Sequence, residues 1–148
     1  MTTKMGDQGQ TLLGCTLVAK DHVAIDLLGD LDELNCLLGN IKDQTSIQDD
    51  IFEISAAVYK GEDWEKAEIN INSLEFAIQV INAKLPPLKE FVRPSGNIHL
   101  ARAVCRRCER KAWGLDKTKN YCKYLNRLSD YLFVLARSTT SEETLWER

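Results

Sequence analysis

The chain has 148 residues, 44% hydrophobic and 28% charged, with three prolines; this composition describes one domain, residues 1–148, with enough apolar content to bury a core, and excludes a disordered chain. A net charge of −3 argues against a nucleic-acid partner, which calls for a broadly basic domain, and no apolar run approaches the roughly 20 residues of a membrane span. Five cysteines (Cys15, Cys36, Cys105, Cys108 and Cys122) form an odd set without a small-scaffold pattern, and the N-terminus MTTKMGDQGQTLLG lacks a charged-then-apolar leader, so the expected location is the reducing cytoplasm.

Residues 1–20 are punctuated by Gly6, Gly9 and Gly14 and lack helical periodicity, so an ordered loop is expected there. From about Asp21, the apolar positions Leu27, Leu28, Leu31, Leu34, Leu38 and Ile41 recur at three and four, one face of a helix that weakens at Gly39 and Asn40. Ser46, with Asp49 three residues on, reads as a capping box opening a second helix with Ile47, Ile51, Ile54 and Val58 inward. The run 60–63 breaks it. A third helix is expected over about 64–85, where Ile71, Leu74, Ile78, Ile81 and Leu85 keep near-heptad spacing. Pro86 and Pro87 stop it, and the extended stretch LKEFVRPSGN follows. The fourth helix spans about 98–115, the fifth about 118–138, and the tail SEETLWER reads as a loosely packed end. No run sustains period-two alternation and no internal repeat occurs. The expected fold is all-α, an up-and-down five-helix bundle preceded by a glycine-rich loop.

The fourth helix places Arg102, Arg106 and Arg110 at successive spacings of four, and only Glu109 offsets these arginines together with Arg107 and Lys111. Guanidinium forks match phosphate oxygens, so one reading is an anion site; the other is a solvated face with intrahelical pairs such as Glu109 with Arg106. Asn126, Ser129 and Asp130 interrupt the apolar fifth helix, where polar groups cost stability unless paired. In the N-terminal loop the glycines let backbone N–H groups approach a phosphate, with Thr11 or Lys20 adding side-chain contacts, but no Walker A lysine follows and an ordinary turn is the alternative. Asp30, Asp32, Glu33 and Asn35 crowd the first helix: they face water, pair with an arginine across an interface, or help place a metal. Cys105 and Cys108 form a C-x-x-C inside a helix without a second pair, which predicts buried thiols rather than a zinc site. His22 and His99 have no serine or cysteine nucleophile to serve. Tyr121, Tyr124, Tyr131 and Phe133 are expected in the core; Phe91, in a loop, is the functional candidate among the aromatics.

Three separated segments, TKMGDQGQT (3–11), GDLDELNCLLG (29–39) and LPPLKEFVRPSG…HLARAVCRRCER…YLNRLSDYLFVLAR (85–137), together resemble the PduO-type ATP:cob(I)alamin adenosyltransferases. The similarity runs over nearly the whole chain. That resemblance implies a five-helix bundle assembled as a homotrimer, with sites between subunits. It implies transfer of the 5′-deoxyadenosyl group of ATP to the cobalt of reduced cobalamin, with release of triphosphate and with Mg²⁺ as cofactor. Thr3, Lys4, Met5, Gly6, Asp7, Gly9 and Thr11 match the loop that wraps the triphosphate, and Lys20 matches a phosphate-contacting lysine. Arg106, Arg107 and Arg110 fall on the family's ATP-binding arginine segment, with Glu109 orienting an arginine or holding Mg²⁺. Asn126 matches a nucleotide-contacting asparagine, and Asp32 with Arg102 matches an intersubunit ion pair. Phe91 matches the phenylalanine that displaces the lower axial ligand of the corrinoid, and Asp130 lies in the motif near the corrin; with Arg106 these are the implied catalytic residues. A flavoprotein reductase and an adenosylcobalamin-dependent enzyme are the implied protein partners.

The chemistry agrees with the residues present. Cob(I)alamin is itself a strong nucleophile, so the chain needs no Ser, Cys or His nucleophile; it must align the reactants and neutralise the departing triphosphate. Several positions depart from the family pattern: Met5 stands for a threonine, Gln8 for a lysine, Leu17-Val18 for arginine-valine, and Arg93 for an apolar residue, and several residues are missing between Gly96 and His99. Two other readings accompany the enzyme: a catalytically weakened relative that binds ATP or a corrinoid as a chaperone or sensor, and a trimeric helical scaffold.

Overall fold

The computed structural model describes residues 2–140 and 143–148. Two short strands, β1 (Gln10–Leu13) and β2 (Thr16–Ala19), precede five helices: α1 (Val23–Gly39), α2 (Thr45–Lys60), α3 (Ala67–Asn82), α4 (Gly96–Leu115) and α5 (Tyr121–Thr139). The five-helix reading holds, and the antiparallel hairpin, with Thr11 opposite Val18 and Leu12 opposite Leu17, corrects the loop expected over 1–20. Strands of four residues are too short for alternation to register, and the informative signal is Gly14. It occupies the first of two turn positions with φ 61, the positive φ that lets a two-residue turn follow the strand twist. Tyr59 Oη donates to the Gly14 carbonyl at 3.2 Å and pins the hairpin tip to α2.

Helix starts follow tertiary contacts as much as local signals. His22 caps α1, its Nδ1 accepting from the Ala24 N–H at 3.1 Å. The Ser46–Asp49 box does not form: α2 begins at Thr45 behind Gln44, which makes no side-chain cap bond. Gln44 is buried, and its amide donates to the Lys42 carbonyl at 3.0 Å and accepts from Tyr131 Oη at 3.1 Å. Satisfying that buried amide fixes the turn and leaves Ser46 no capping role. The third helix opens at Ala67 rather than at Trp64, because Trp64 is drawn into the core. Its ring meets Tyr124 edge-on at 4.8 Å, its Nε1 donates to Glu53 at 2.8 Å, and Asp63 accepts from its backbone N–H at 2.8 Å.

Helix α1 packs on α2 and α4, and α5 packs on α3 and α4. The core is built from Leu27, Leu31, Leu34 and Leu38 of α1, Ile51 and Ile54 of α2, and Leu125, Leu128 and Leu132 of α5, all fully buried. α4 contributes Ala101, Val104, Cys105, Cys108 and Ala112 inward. These small side chains let its axis approach its neighbours closely and leave its long cations on the outer faces. The expected buried thiols are borne out: Cys105 Sγ donates to the Leu125 carbonyl at 3.2 Å, and burial pushes the Cys108 thiol up to about 12. Among the described residues no cluster of three or more His, Cys, Asp or Glu side chains offers a metal cage, and no helix is long and apolar enough to cross a membrane.

The tail is not a loose end. Leu145 bridges antiparallel to Val92, Arg93 N–H donates to the Thr144 carbonyl at 2.7 Å, and Trp146 N–H donates to the Phe91 carbonyl at 2.7 Å. Buried Arg137 donates to Glu143 at 2.7 and 3.2 Å and to the Pro86 carbonyl at 3.0 Å. A single bridge leaves no periodic signature, which is why the sequence hides it. Ser141 and Glu142, part of the expected loose tail, lie outside the described residues.

Candidate active site

The cations of α4 divide between two faces. Arg107 and Lys111 turn toward α1: Arg107 Nε lies 3.2 Å from Asp30 Oδ2 and its Nη2 bonds Glu33, while Lys111 Nζ lies 2.7 Å from Asp30 and 2.6 Å from Asp26. The acidic run of α1, left open between water, an interface and a metal, is therefore largely an intrachain partner of α4. Asn35 is buried and donates to the Gln48 carbonyl; Asp32 is exposed and joins no ion pair among the described residues. Burial by itself would raise the Asp30 carboxyl, but the bonds from Lys111 and Arg107 outweigh it and hold the group below its ordinary value.

That shift has a definite sign. A carboxylate whose folded pKa lies below its unfolded one adds stability above the ordinary carboxylate range and loses it as pH falls through the folded value. Asp30→Asn is expected to lower the melting temperature by a few degrees at pH 7 and to make little difference once pH has fallen below the folded value of the Asp30 carboxyl. Thermal melts across pH check this; a gap that persists in acid would overturn the pairing argument.

Arg106 and Arg110, one turn apart, are exposed and meet no carboxylate among the described residues. Arg102 is half-buried with its guanidinium 5.7 Å from the Phe133 ring centre, and its Nε has no hydrogen-bond partner among the described residues. Glu109 accepts from Trp113 Nε1 at 2.9 Å, one turn on, and does not pair with Arg106. The polar positions of α5 are also divided. Ser129 is buried and donates to the Asn126 carbonyl at 2.7 Å, whereas the Asn126 and Asp130 side chains are exposed, Asp130 accepting from Arg127 at 2.9 Å. The apolar helix thus places Asn126 and Asp130 on its outer side and needs no internal partner for them.

The N-terminal loop is a pair of tight turns: Asp7 N–H donates to Lys4 O at 3.2 Å and Gly9 N–H to Gly6 O at 3.1 Å, with Lys4 at φ 60 and Gly9 at φ 76. Lys20 N–H donates back to Gly9 O at 2.9 Å. Its ammonium lies so close to Gly6 that a Cβ there would sit 2.6 Å from Nζ. Thr3, Lys4, Met5 and Asp7 are exposed around this turn, and Thr11 sits in the hairpin opposite Val18. Within one chain no hydrogen bond or ion pair among the described residues joins the loop to α4.

Phe91 is 68% exposed on the segment held by the tail, with the Trp146 ring 6.1 Å away. Nothing in the spacing of the sequence could pair Trp146 with it. Nearby elements enclose an apolar groove of about 510 Å³ lined by Ile78, Leu85, Leu88 and Phe133, with Asp130 also at its wall.

A five-helix bundle with an N-terminal hairpin exposes arginines on one helix that meet no carboxylate among the described residues and braces a lysine on a glycine turn, donor chemistry that suits an anionic ligand. The family described as cobalamin adenosyltransferase matches residues 1–139, and the chain belongs to it. A corrinoid adenosyltransferase of Bacillus subtilis is 34% identical over 161 aligned residues, covering 91% of this chain and 83% of that one. A cobalamin adenosyltransferase of Cupriavidus metallidurans is 34% identical, covering 100% and 94%. Among solved structures, a variant PduO-type ATP:corrinoid adenosyltransferase from Lactobacillus reuteri complexed with cobalamin and ATP superposes with a TM-score of 0.89 at 26% identity, covering 99% of each chain.

Proposed function

We infer that the chain is an ATP:corrinoid adenosyltransferase that transfers the 5′-deoxyadenosyl group of ATP to the cobalt of a reduced corrinoid and releases triphosphate. The observation that carries this reading is the division of α4. Carboxylates of α1 neutralise Arg107 and Lys111, and Arg106 and Arg110 are left exposed without a counter-charge among the described residues. Such unpaired forks suit the triphosphate, whose negative charge grows as the C5′–O bond breaks. Lys20 and the backbone N–H groups of the 3–9 turn supply the second set of donors, and Thr11 and Asn126 are assigned to the nucleotide. Arg107 takes a packing role in this assignment.

The corrinoid is assigned to the apolar groove, with Asp130 at its wall and Phe91 close in sequence to its Leu88. The cobalt is the nucleophile, so the residues of the chain bind, orient and exclude water. Mg²⁺ agrees with the donors present. It takes one or two carboxylates together with substrate phosphates rather than a protein cage, and Glu109, bonded through Oε2 to Trp113, would hold it, where it supplies charge neutralisation.

The active assembly is a homotrimer in this reading, with the loop of one subunit facing α4 of the next. Exposed Asp32 and the unsatisfied Nε of Arg102 support it, since neither finds an ionic partner among the described residues of one chain. The test is a visible-absorbance assay with ATP, Mg²⁺ and chemically reduced cobalamin. Conversion to the adenosylcobalamin spectrum is expected. Binding of both ligands without conversion would favour a chaperone or sensor, and binding of neither would leave a scaffold.

A further inference from the structure

A separate cavity of about 250 Å³ lies behind the Phe91 segment, where Arg93, Ser95, His99, Arg137 and Glu143 meet. Three independent features give it the character of an anion site. It opens on the N-terminus of α4, a 20-residue helix whose first N–H groups have no intrahelical acceptor. Ser95 makes no side-chain cap bond, and Gly96, at φ 84, has no side chain to make one. His99 is 5% exposed, and its Nδ1 has no hydrogen-bond partner among the described residues. A buried imidazole nitrogen without a partner is costly unless a ligand or water completes it.

The charge balance favours an anion. The Glu143 carboxylate is engaged through both oxygens by Arg137, which leaves Arg93 and the helix terminus as net positive. Arg93 is exposed and forms no ion pair among the described residues. Burial, and after it the nearby Arg102 charge, lower the His99 pKa against the opposing pull of Glu143; in the tautomer protonated at Nδ1, that nitrogen is a donor to an anion.

We propose that this cavity is a phosphate subsite formed by Arg93, Ser95, His99 and the α4 N-terminus. It takes either the phosphodiester of a corrinoid's nucleotide tail or free inorganic phosphate. The first source rests on the corrinoid reading above; the second does not. Complete corrinoids carry that phosphodiester and cobinamide lacks it, so the two compounds separate the sources.

The experiment measures calorimetric titrations of sodium phosphate, cobalamin and cobinamide, the corrinoids in the presence of ATP, into the wild-type chain, Arg93→Gln and Ser95→Ala. Arg93 is exposed and Ser95 caps nothing, so both variants keep the fold, which melting curves verify. For the phosphodiester, Arg93→Gln is expected to weaken cobalamin by about tenfold, the change expected on losing one charge-assisted hydrogen bond, with cobinamide unchanged and phosphate competing only with cobalamin. Phosphate binding that Arg93→Gln abolishes, with both corrinoids unaffected, would establish the subsite for free phosphate and remove the phosphodiester. Equal weakening of both corrinoids, or no phosphate effect in any titration, overturns the subsite. If neither corrinoid binds the wild type, the corrinoid reading fails while the phosphate titration still decides the cavity.

Discussion

Arg106→Ala is expected to reduce adenosylcobalamin formation by about 10²- to 10³-fold, the usual loss when one preorganised donor to a developing anion is removed. The melting temperature and the assembly size should stay unchanged. Arg106 is exposed and touches no carboxylate among the described residues, so its removal breaks no intrachain pair. In the proposed reaction, charge accumulates on the triphosphate as the bond to C5′ breaks, and a guanidinium fork placed there acts mainly in the transition state. The loss should therefore appear in kcat more than in the KM for ATP. Arg107→Ala makes the contrast, since Arg107 is bound to Asp30 and Glu33 and its loss should register as reduced stability. Steady-state assays beside thermal melts separate the two. Retained turnover in Arg106→Ala would remove that residue from the site.

Phe91→Ala is expected to act on one form of the substrate and spare the other. With chemically supplied Co(I), product formation should stay near wild type; with Co(II) that must be reduced on the protein, it should fall by about 10- to 100-fold. In the proposed role, the ring contributes the burial energy of a phenylalanine, about 1.5–3 kcal/mol, to keeping the lower ligand away from cobalt. Four-coordinate cobalt is the more easily reduced form, so the effect belongs to the reduction step. The structure makes the substitution a clean one. Phe91 is 68% exposed, and its place is set by the backbone bonds of the strap, Trp146 N–H to Phe91 O at 2.7 Å and the Val92–Leu145 bridge. Losing the ring should leave the segment where it is. Equal losses in the two assays would count against ligand displacement.

The helices were legible because their inward residues repeat at three and four over four or more turns, as Leu27, Leu31, Leu34 and Leu38 do. The hairpin was not, since four-residue strands give alternation no room and Gly14 reads as one more glycine in a glycine-rich stretch. The capping box at Ser46 failed because a buried amide, Gln44, set the turn from the other side of the fold. At the site, the arginine stripe was legible but its division was not. Residues one apart on a helix differ by about 100°, so 106 and 110 share one face and 107 and 111 the next. The pattern that could have assigned the second face was already present in α1: Asp26, Asp30 and Glu33, spaced four and three, mirror Arg107 and Lys111. The strap at 143–146 depends on pairing across more than fifty residues, which no local pattern encodes.

The contact between Lys20 and Gly6 binds two positions of the sequence into one choice. An added Cβ at residue 6 would meet the mobile end of a lysine, 2.6 Å from Nζ, rather than backbone. The lysine would swing aside with little strain, and the hairpin would keep its register. What would move is the positive charge itself, off the turn it rests on. Glycine at residue 6 is therefore a requirement of placement rather than of folding, and it lapses wherever position 20 carries a shorter side chain. Homologous sequences in which the two positions change together would retain the turn and give up the charge.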